Sequence, residues 1–401
     1  MTEPKLAPDK YCTGCLACYD SCRHNAIKII QKNGLTHVTV NKDNCIGCRL
    51  CEKSCPIVTP VSRNSVADMR AYGGWCNIDE YRIKGASGGA FAALALSFFA
   101  KFDKAAVVGA SLENNRVKHI VIEHPEDIPL LMNSKYIQSD TCGIYAKVKR
   151  KLSEGYNVMF SGTPCQIAGL YAFLGKGKDD FKLVTVELVC HGIPGNEALD
   201  LHLKYYNSNK IYSFRDKREG QYWYASQRTT IDIDGNPVKI PRNEDVFYRI
   251  FSGWMLDRES CSNCVYSEMP RVADITLADF WGASVNEQEF MKGVSLITAN
   301  SIHGRNFITS SSDYLYQEET SILKAMRSNS NLYTGYKFIQ YHPIVMFPDF
   351  FRKVFPEKVR FNILTNKYPW RLLWGVFKVL TKYAAKRKYK QVVRKYKFAE
   401  K

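Results

Sequence analysis

Residues 12–22 read CTGCLACYDSC and residues 45–56 read CIGCRLCEKSCP. Both runs space their cysteines as C-x2-C-x2-C-x3-C. Each cysteine of the first returns 33 residues later, so Cys12, Cys15, Cys18 and Cys22 are matched by Cys45, Cys48, Cys51 and Cys55. Gaps of two residues let three thiolates of one loop wrap a corner of an iron–sulfur cube, and the fourth ligand comes from the other run. That pattern assigns Cys12, Cys15, Cys18 and Cys55 to one 4Fe–4S cluster, and Cys45, Cys48, Cys51 and Cys22 to a second. Paired zinc sites are the competing reading. Zinc motifs rarely carry three cysteines at successive two-residue gaps, let alone twice. Between the runs, residues 26–30 and 37–40 read as two short strands around a turn at Asn33-Gly34.

The remaining composition bounds what surrounds this repeat. The chain has 401 residues, 45% hydrophobic and 24% charged, enough for two or three cores and too apolar for a disordered chain. No run reaches the roughly 20 apolar residues of a membrane span. The polar first ten residues lack the apolar centre of a secretory signal. These observations argue against secreted, collagenous and integral-membrane classes and place the chain in the cytoplasm. Eight of the 14 cysteines lie in the repeat, which in a reducing compartment means ligation rather than disulfides. The net charge of +17 is concentrated at one end: residues 352–401 carry 16 Lys/Arg against 2 Asp/Glu. The basicity therefore belongs to a tail.

Four regions follow: a dicluster domain at 1–58, a linker at 59–70, a body at 71–330 and an aromatic, basic region at 331–401. In the body, residues 87–101 (SGGAFAALALSFFAK) read as a buried helix opened by a Gly-Gly turn. AAVVGA at 105–110, NVMFS at 157–161 and VTVELVC at 184–190 read as buried strands. Residues 222–225, 229–233 and 238–240 suggest a β-hairpin, with a helix at 244–256 after it. The expected fold class is α+β and α/β, a ferredoxin-like domain ahead of a larger mixed α/β body. The tail, with WRLLWGVFKVL at 370–380, reads as basic amphipathic helix. Its readings are an anionic membrane surface or acidic partner, which would put the protein peripherally at the inner face of the membrane. The alternative is a helix packed on the body by its aromatic face. No nucleic-acid recognition motif accompanies the charge.

Further cysteines sit beside glycine in SGTPCQ at 161–166, ELVCHG at 187–192 and Cys261-x2-Cys264, with DITLADFWG at 274–282 downstream. Together with ASGG at 86–89, SKYIQS at 134–139 and FRDK at 214–217, in this order, they make residues 11–320 resemble the coenzyme F420 hydrogenase/dehydrogenase beta-subunit family with a ferredoxin domain fused in front. The resemblance implies FAD in the body, which becomes a flavin-binding domain. It also implies electron flow between clusters and a hydride donor or acceptor. Chemistry agrees, because a flavin joins one-electron centres to a two-electron reaction. No G-x-G-x-x-G follows a strand, and GLYAFLGK at 169–176 lacks P-loop spacing.

In that context Ser87, Gly88 and Gly89 are expected to approach the flavin or its phosphates at a helix start. The plain alternative is an ordinary helix N-terminus with Ser87 as cap. Lys135 would set a positive charge near the reduced ring or a phosphate; otherwise it is a solvated lysine. Gly162, Thr163, Pro164 and Gln166 follow a strand, where α/β proteins bind ligands. Cys165, Cys190, Cys261 and Cys264 would hold a third 4Fe–4S cluster. The alternatives are buried apolar cysteines or, for Cys165, a redox-active thiol. His191 is read either as a proton donor to substrate or flavin or as a core histidine. Asp279 and Trp281 are read as packing or turn residues. The leading functional expectation is an iron–sulfur flavoprotein oxidoreductase. It would take electrons from ferredoxin or another redox protein and exchange hydride with coenzyme F420 or another small molecule. A non-catalytic electron-transfer subunit is the second reading, and an oxygen-sensing cluster protein the third.

Overall fold

A computed structural model describes residues 3–32, 34–175, 182–252, 257–333 and 389–396. The cysteine repeat folds around a hairpin of β1 (Ile27–Lys32) and β2 (Leu35–Val40), registered Ile27 to Val40 and Lys32 to Leu35. Ile27 and Leu35 are buried beneath it. The duplication extends to the backbone. Gly14 and Gly47 have φ of 67° and 70°, and Leu16 and Arg49 have φ of 62° and 58°. Each run then enters a single helical turn, Ala17–Asp20 or Leu50–Lys53. Left-handed Leu and Arg each cost about 1–2 kcal/mol. The same departure at the same position of both runs marks a shape imposed by what the loop wraps.

The body is built on a nine-stranded sheet. Its strands are β3 (Arg70–Cys76), β4 (Ala105–Glu113), β5 (Arg116–Ile122), β6 (Ser139–Asp140), β7 (Asn157–Gly162), β8 (Leu183–Leu188), β12 (Ile275–Asp279), β13 (Ser295–Ala299) and β14 (Leu315–Thr320). They are ordered β14-β3-β13-β12-β8-β7-β4-β5-β6. The intervening β9 (Ser208–Asp216), β10 (Gln227–Asp232) and β11 (Pro237–Pro241) form a separate antiparallel sheet. In the centre, β4, β7, β8 and β12 are parallel.

Helices cover both faces of the parallel core, as its unbroken apolar strands require. Along β4, Ala105 and Val107 face the helices Ala90–Lys101 and Ile302–Thr309, while Ala106 and Val108 face Ile144–Ser153 and Pro164–Leu174. Cys15 and Ala17 belong to the second of these cores, so the ferredoxin-type module is docked on that face. Residue 169 must be glycine for this docking. A Cβ there would lie 3.0 Å from Cys15 Sγ and 3.0 Å from the Tyr145 hydroxyl.

Several elements differ from the expectations. The helix read from residue 87 begins at Ala90, behind Gly89 at φ 76°, and Ser87 does not cap it. Residues 222–225 form a turn rather than a strand, because Trp223 is fully buried and its amide donates to the Met291 carbonyl at 2.9 Å. The hairpin is β10–β11, extended by β9. The stretch read as a linker runs along the body, where Asn64 Nδ2 donates to the Ala273 carbonyl at 2.7 Å and Arg63 to that of Val265. Of the basic region, residues 370–380 lie outside the described residues. Residues 389–396 are helical and pack by their aromatic face. Tyr389 accepts from Arg327 Nε at 3.0 Å, and the Tyr396 hydroxyl donates to the Met269 carbonyl at 3.3 Å.

Candidate functional site

The eight repeat cysteines fall into two groups. Cys12, Cys15, Cys18 and Cys55 lie within electrostatic reach of one another: Cys12 and Cys55 raise the pKa of Cys15, and all three raise that of Cys18. Burial pushes Cys15 up to about 12 and holds Cys18 and Cys55 high as well. Cys22, Cys45, Cys48 and Cys51 line one small cavity with Ile46 and His24 at its rim. Burial pushes Cys51 up to about 11, and Cys22 and Cys48 add to the rise. Thiols gathered this closely cannot ionise together without a cation between them. Iron supplies that charge and takes the thiolates as ligands. Among the described residues no three His, Cys, Asp or Glu side chains converge on a point as ligands of a single ion would.

Parallel pairing aligns the carboxyl ends of β7, β8 and β12. Gly162 leads into Thr163 and Cys165, Leu188 into Cys190 and His191, and Asp279 into Trp281. The turn after β7 is closed by its own residues. Gln166 Oε1 accepts from the Thr163 amide at 2.9 Å, and the Thr163 side chain caps the helix Pro164–Leu174. Thr163 Oγ1 lies 3.2 Å from Cys165 Sγ, so this capping box positions the thiol. Cys165, Cys190, Cys261 and Cys264 form the third group. Burial pushes Cys165 up to about 11 and raises Cys190 and Cys261, and within the group neighbouring thiols add to each rise. The Tyr145 and Tyr266 rings stand between this group and Cys15, since both thiols Cys15 and Cys165 act on each phenol.

Next to Cys190, the same edge opens into a cleft. His191, Arg215, Arg242 and Asp279 influence one another there. Arg215 Nη1 donates to Asp279 Oδ2 at 3.1 Å, while its buried Nε and Nη2 have no hydrogen-bond partner among the described residues. Its guanidinium also lies 5.2 Å from the Trp223 ring. Solvent reaches His191, yet the depth of the cleft lowers its pKa by desolvation; Asp279 opposes this and the two arginines reinforce it. Asn331 Nδ2 lies 2.6 Å from His191 Nδ1. Farther along, Ser87 Oγ donates to the Val294 carbonyl at 2.8 Å, and the Gly88 amide donates to Ser295 Oγ at 3.0 Å. Lys217 ties this corner to Arg215's strand end, donating to the carbonyls of Arg82 at 2.7 Å, Lys292 at 2.6 Å and Ser87. Burial pulls Lys217 down to about 7.

Ser87–Gly89 and Gly162–Gln166 thus share one edge but are not in contact, because β12 and β8 lie between them. Lys135 stands behind the edge. Burial pulls it down to about 7, and Nζ donates to the Met132 carbonyl. Its neighbour Tyr136 reaches the cleft, with its hydroxyl 3.5 Å from Arg215 Nη1. Sequence reasoning assigned no role to Arg215, Arg242, Tyr248 or Arg258, and read Asp279 only as packing. Arg215 stood inside the FRDK motif, which was the available signal.

A duplicated cysteine loop carried on a hairpin and docked against a mixed sheet defines an iron–sulfur electron-transfer protein. Its class is more specific than that. Residues 155–323 match the family model for the C terminus of the coenzyme F420 hydrogenase/dehydrogenase beta subunit, and residues 7–62 match the 4Fe-4S dicluster domain. The chain belongs to that beta-subunit family, with the dicluster domain at its N-terminus. It is also similar to a chain from the F420-reducing [NiFe] hydrogenase complex of Methanosarcina barkeri. Identity is 16% and the TM-score 0.44, over 64% of this chain and 83% of the other. No helix among the described residues is long and apolar enough to cross a membrane.

Proposed function

We propose that the chain is an iron–sulfur flavoprotein oxidoreductase exchanging electrons with a ferredoxin-like carrier and hydride with coenzyme F420 or another small acceptor. The observation that carries this reading is continuity. Three groups of four cysteines adjoin one another, and the last opens onto a cleft with a cationic, aromatic and acid–base lining. The donor sets fit 4Fe–4S clusters: Cys12, Cys15, Cys18 and Cys55; Cys45, Cys48, Cys51 and Cys22; and Cys165, Cys190, Cys261 and Cys264. The cleft fits FAD through the unpartnered Arg215 nitrogens, the half-exposed Trp281 and the Ser87-Gly88-Gly89 corner at the start of a buried helix. When bound, clusters supply one-electron steps and the flavin couples them to two-electron chemistry.

The chain's own residues orient and charge this site. Arg215 and Arg242 favour an anionic partner in the cleft. His191, held neutral near pH 7 by desolvation, is free to take a proton on its ring. Lys135, with its pKa near 7, stores a proton behind the β7 turn. The test is to reduce the reconstituted chain anaerobically with ferredoxin and add oxidised F420. Loss of the F420 absorbance supports the proposal. Reduced clusters and flavin with no transfer to F420 or other hydride acceptors support the electron-transfer-subunit reading, which the beta-subunit family itself favours.

A further inference from the structure

We propose that Arg258 is a positioning residue serving two cysteine groups at once, a buried guanidinium that raises the reduction potential of the centres held by both. The proposal rests on the cluster reading of the Cys12/15/18/55 and Cys165/190/261/264 groups. Arg258 Nε donates to the Cys12 carbonyl at 2.7 Å, and Nη1 lies 3.4 Å from Gln138 Oε1. Its amide donates to the Ile193 carbonyl at 2.8 Å, just beyond Cys190. Its carbonyl accepts from the Cys261 amide at 2.9 Å. One residue therefore touches the first loop and both later arms of the third group. Gly14 accommodates it, since a Cβ there would meet Nη1 at 2.8 Å.

The charge on Arg258 is uncompensated. The side chain is 1% exposed, Nη2 has no partner among the described residues, and its one side-chain acceptor is the neutral Gln138. Among the described residues it joins no ion pair. The adjacent Asp257 is turned toward Gly192, where a Cβ would meet its carboxylate, and the nearby His37 is itself held toward neutrality by Arg258. A buried guanidinium without a counter-ion is costly unless something anionic stands close. Thiolate-ligated clusters supply that negative charge. Each becomes more negative on reduction, so the cation favours the reduced state. One electron leaves one centre and enters the other, while Arg258 keeps its proton throughout.

The test uses the full chain, reconstituted anaerobically, with cluster potentials read by EPR during redox titration. Arg258→Gln should shift the first and third centres to lower potential by about tenfold in the reduced-to-oxidised ratio, about 59 mV for one electron. The Cys22/45/48/51 centre should not move, and Arg258→Lys should stay near wild type. Unchanged potentials in Arg258→Gln, or an equal shift in Arg258→Lys, overturn the proposal. If Arg258→Gln loses iron, Gln138→Glu decides. It pairs the guanidinium while leaving the bond to Cys12 intact, so the same downward shift supports the proposal and no shift overturns it. A wild-type chain with about eight irons overturns the two-centre form and is visible before any variant is made.

Discussion

His119 shows how much one buried residue is asked to carry. Its ring stacks on Phe160, Nδ1 lies 2.7 Å from Ser139 Oγ, and Nε2 lies 3.0 Å from the Ser161 carbonyl. That carbonyl accepts, so Nε2 bears the proton and the ring is neutral. Burial pulls its pKa down to about 4, with Lys135 adding to the fall. The unfolded chain protonates near 6.5 and the folded one does not. The contribution is therefore fully present above about pH 6.5 and is lost as pH falls toward 4, at about 1.4 kcal/mol per unit. Denaturant midpoints between pH 7.5 and 5.5 should fall more steeply for wild type than for His119→Gln; parallel curves would contradict this. Residues of this kind were hidden in the sequence. His119 sits in RVKHIVI, an ordinary strand pattern, and nothing there says that Ser139 and Ser161 close over it. The repeat cysteines, by contrast, were legible because cluster ligation fixes spacing along one loop.

At the scale of elements, β8 and the segment before β12 are joined by charge as well as backbone. Glu187 and Arg271 are both fully buried and form an ion pair, and Glu187 also accepts from Thr276 Oγ1 at 3.0 Å. Such a pair adds little over a good apolar contact, but breaking it strands a buried charge. Glu187→Ala should lower unfolding stability by about 3–5 kcal/mol in chemical denaturation of the full chain. A loss below about 1 kcal/mol, the size of an exposed pair, would show that the site relaxes or floods. Because β8 delivers Cys190 and His191, the third cysteine group should loosen first. The strands β4, β7 and β8 were readable as short apolar runs. The strand assigned at 222–225 was not, because an aromatic triplet scores as strand whether it pairs or turns. Trp223 chose the turn by burying its ring against Trp281 at 4.7 Å.

Across the whole molecule, the ferredoxin-type module is seated on the sheet by the close approach of Cys15 to Gly169, by Arg258 and by Gln138, which accepts from the Thr36 amide at 2.9 Å. This seating brings the Cys12/15/18/55 group beside the helix that carries Cys165. No sequence pattern announces it, since Gln138, Gly169 and Arg258 are separated along the chain and meet only in the fold. The carboxyl edge was half legible: its turns followed predicted strands, but the order of those strands decided which turns are neighbours. Three adjoining cysteine groups leading to a cofactor cleft are the central claim. Its most direct test is anaerobic purification with iron, acid-labile sulfide and flavin measured per chain. The account predicts about twelve irons, about twelve sulfides and about one flavin. About eight irons with no flavin would contradict it, leaving the dicluster domain intact but removing both the third centre and the flavin cleft.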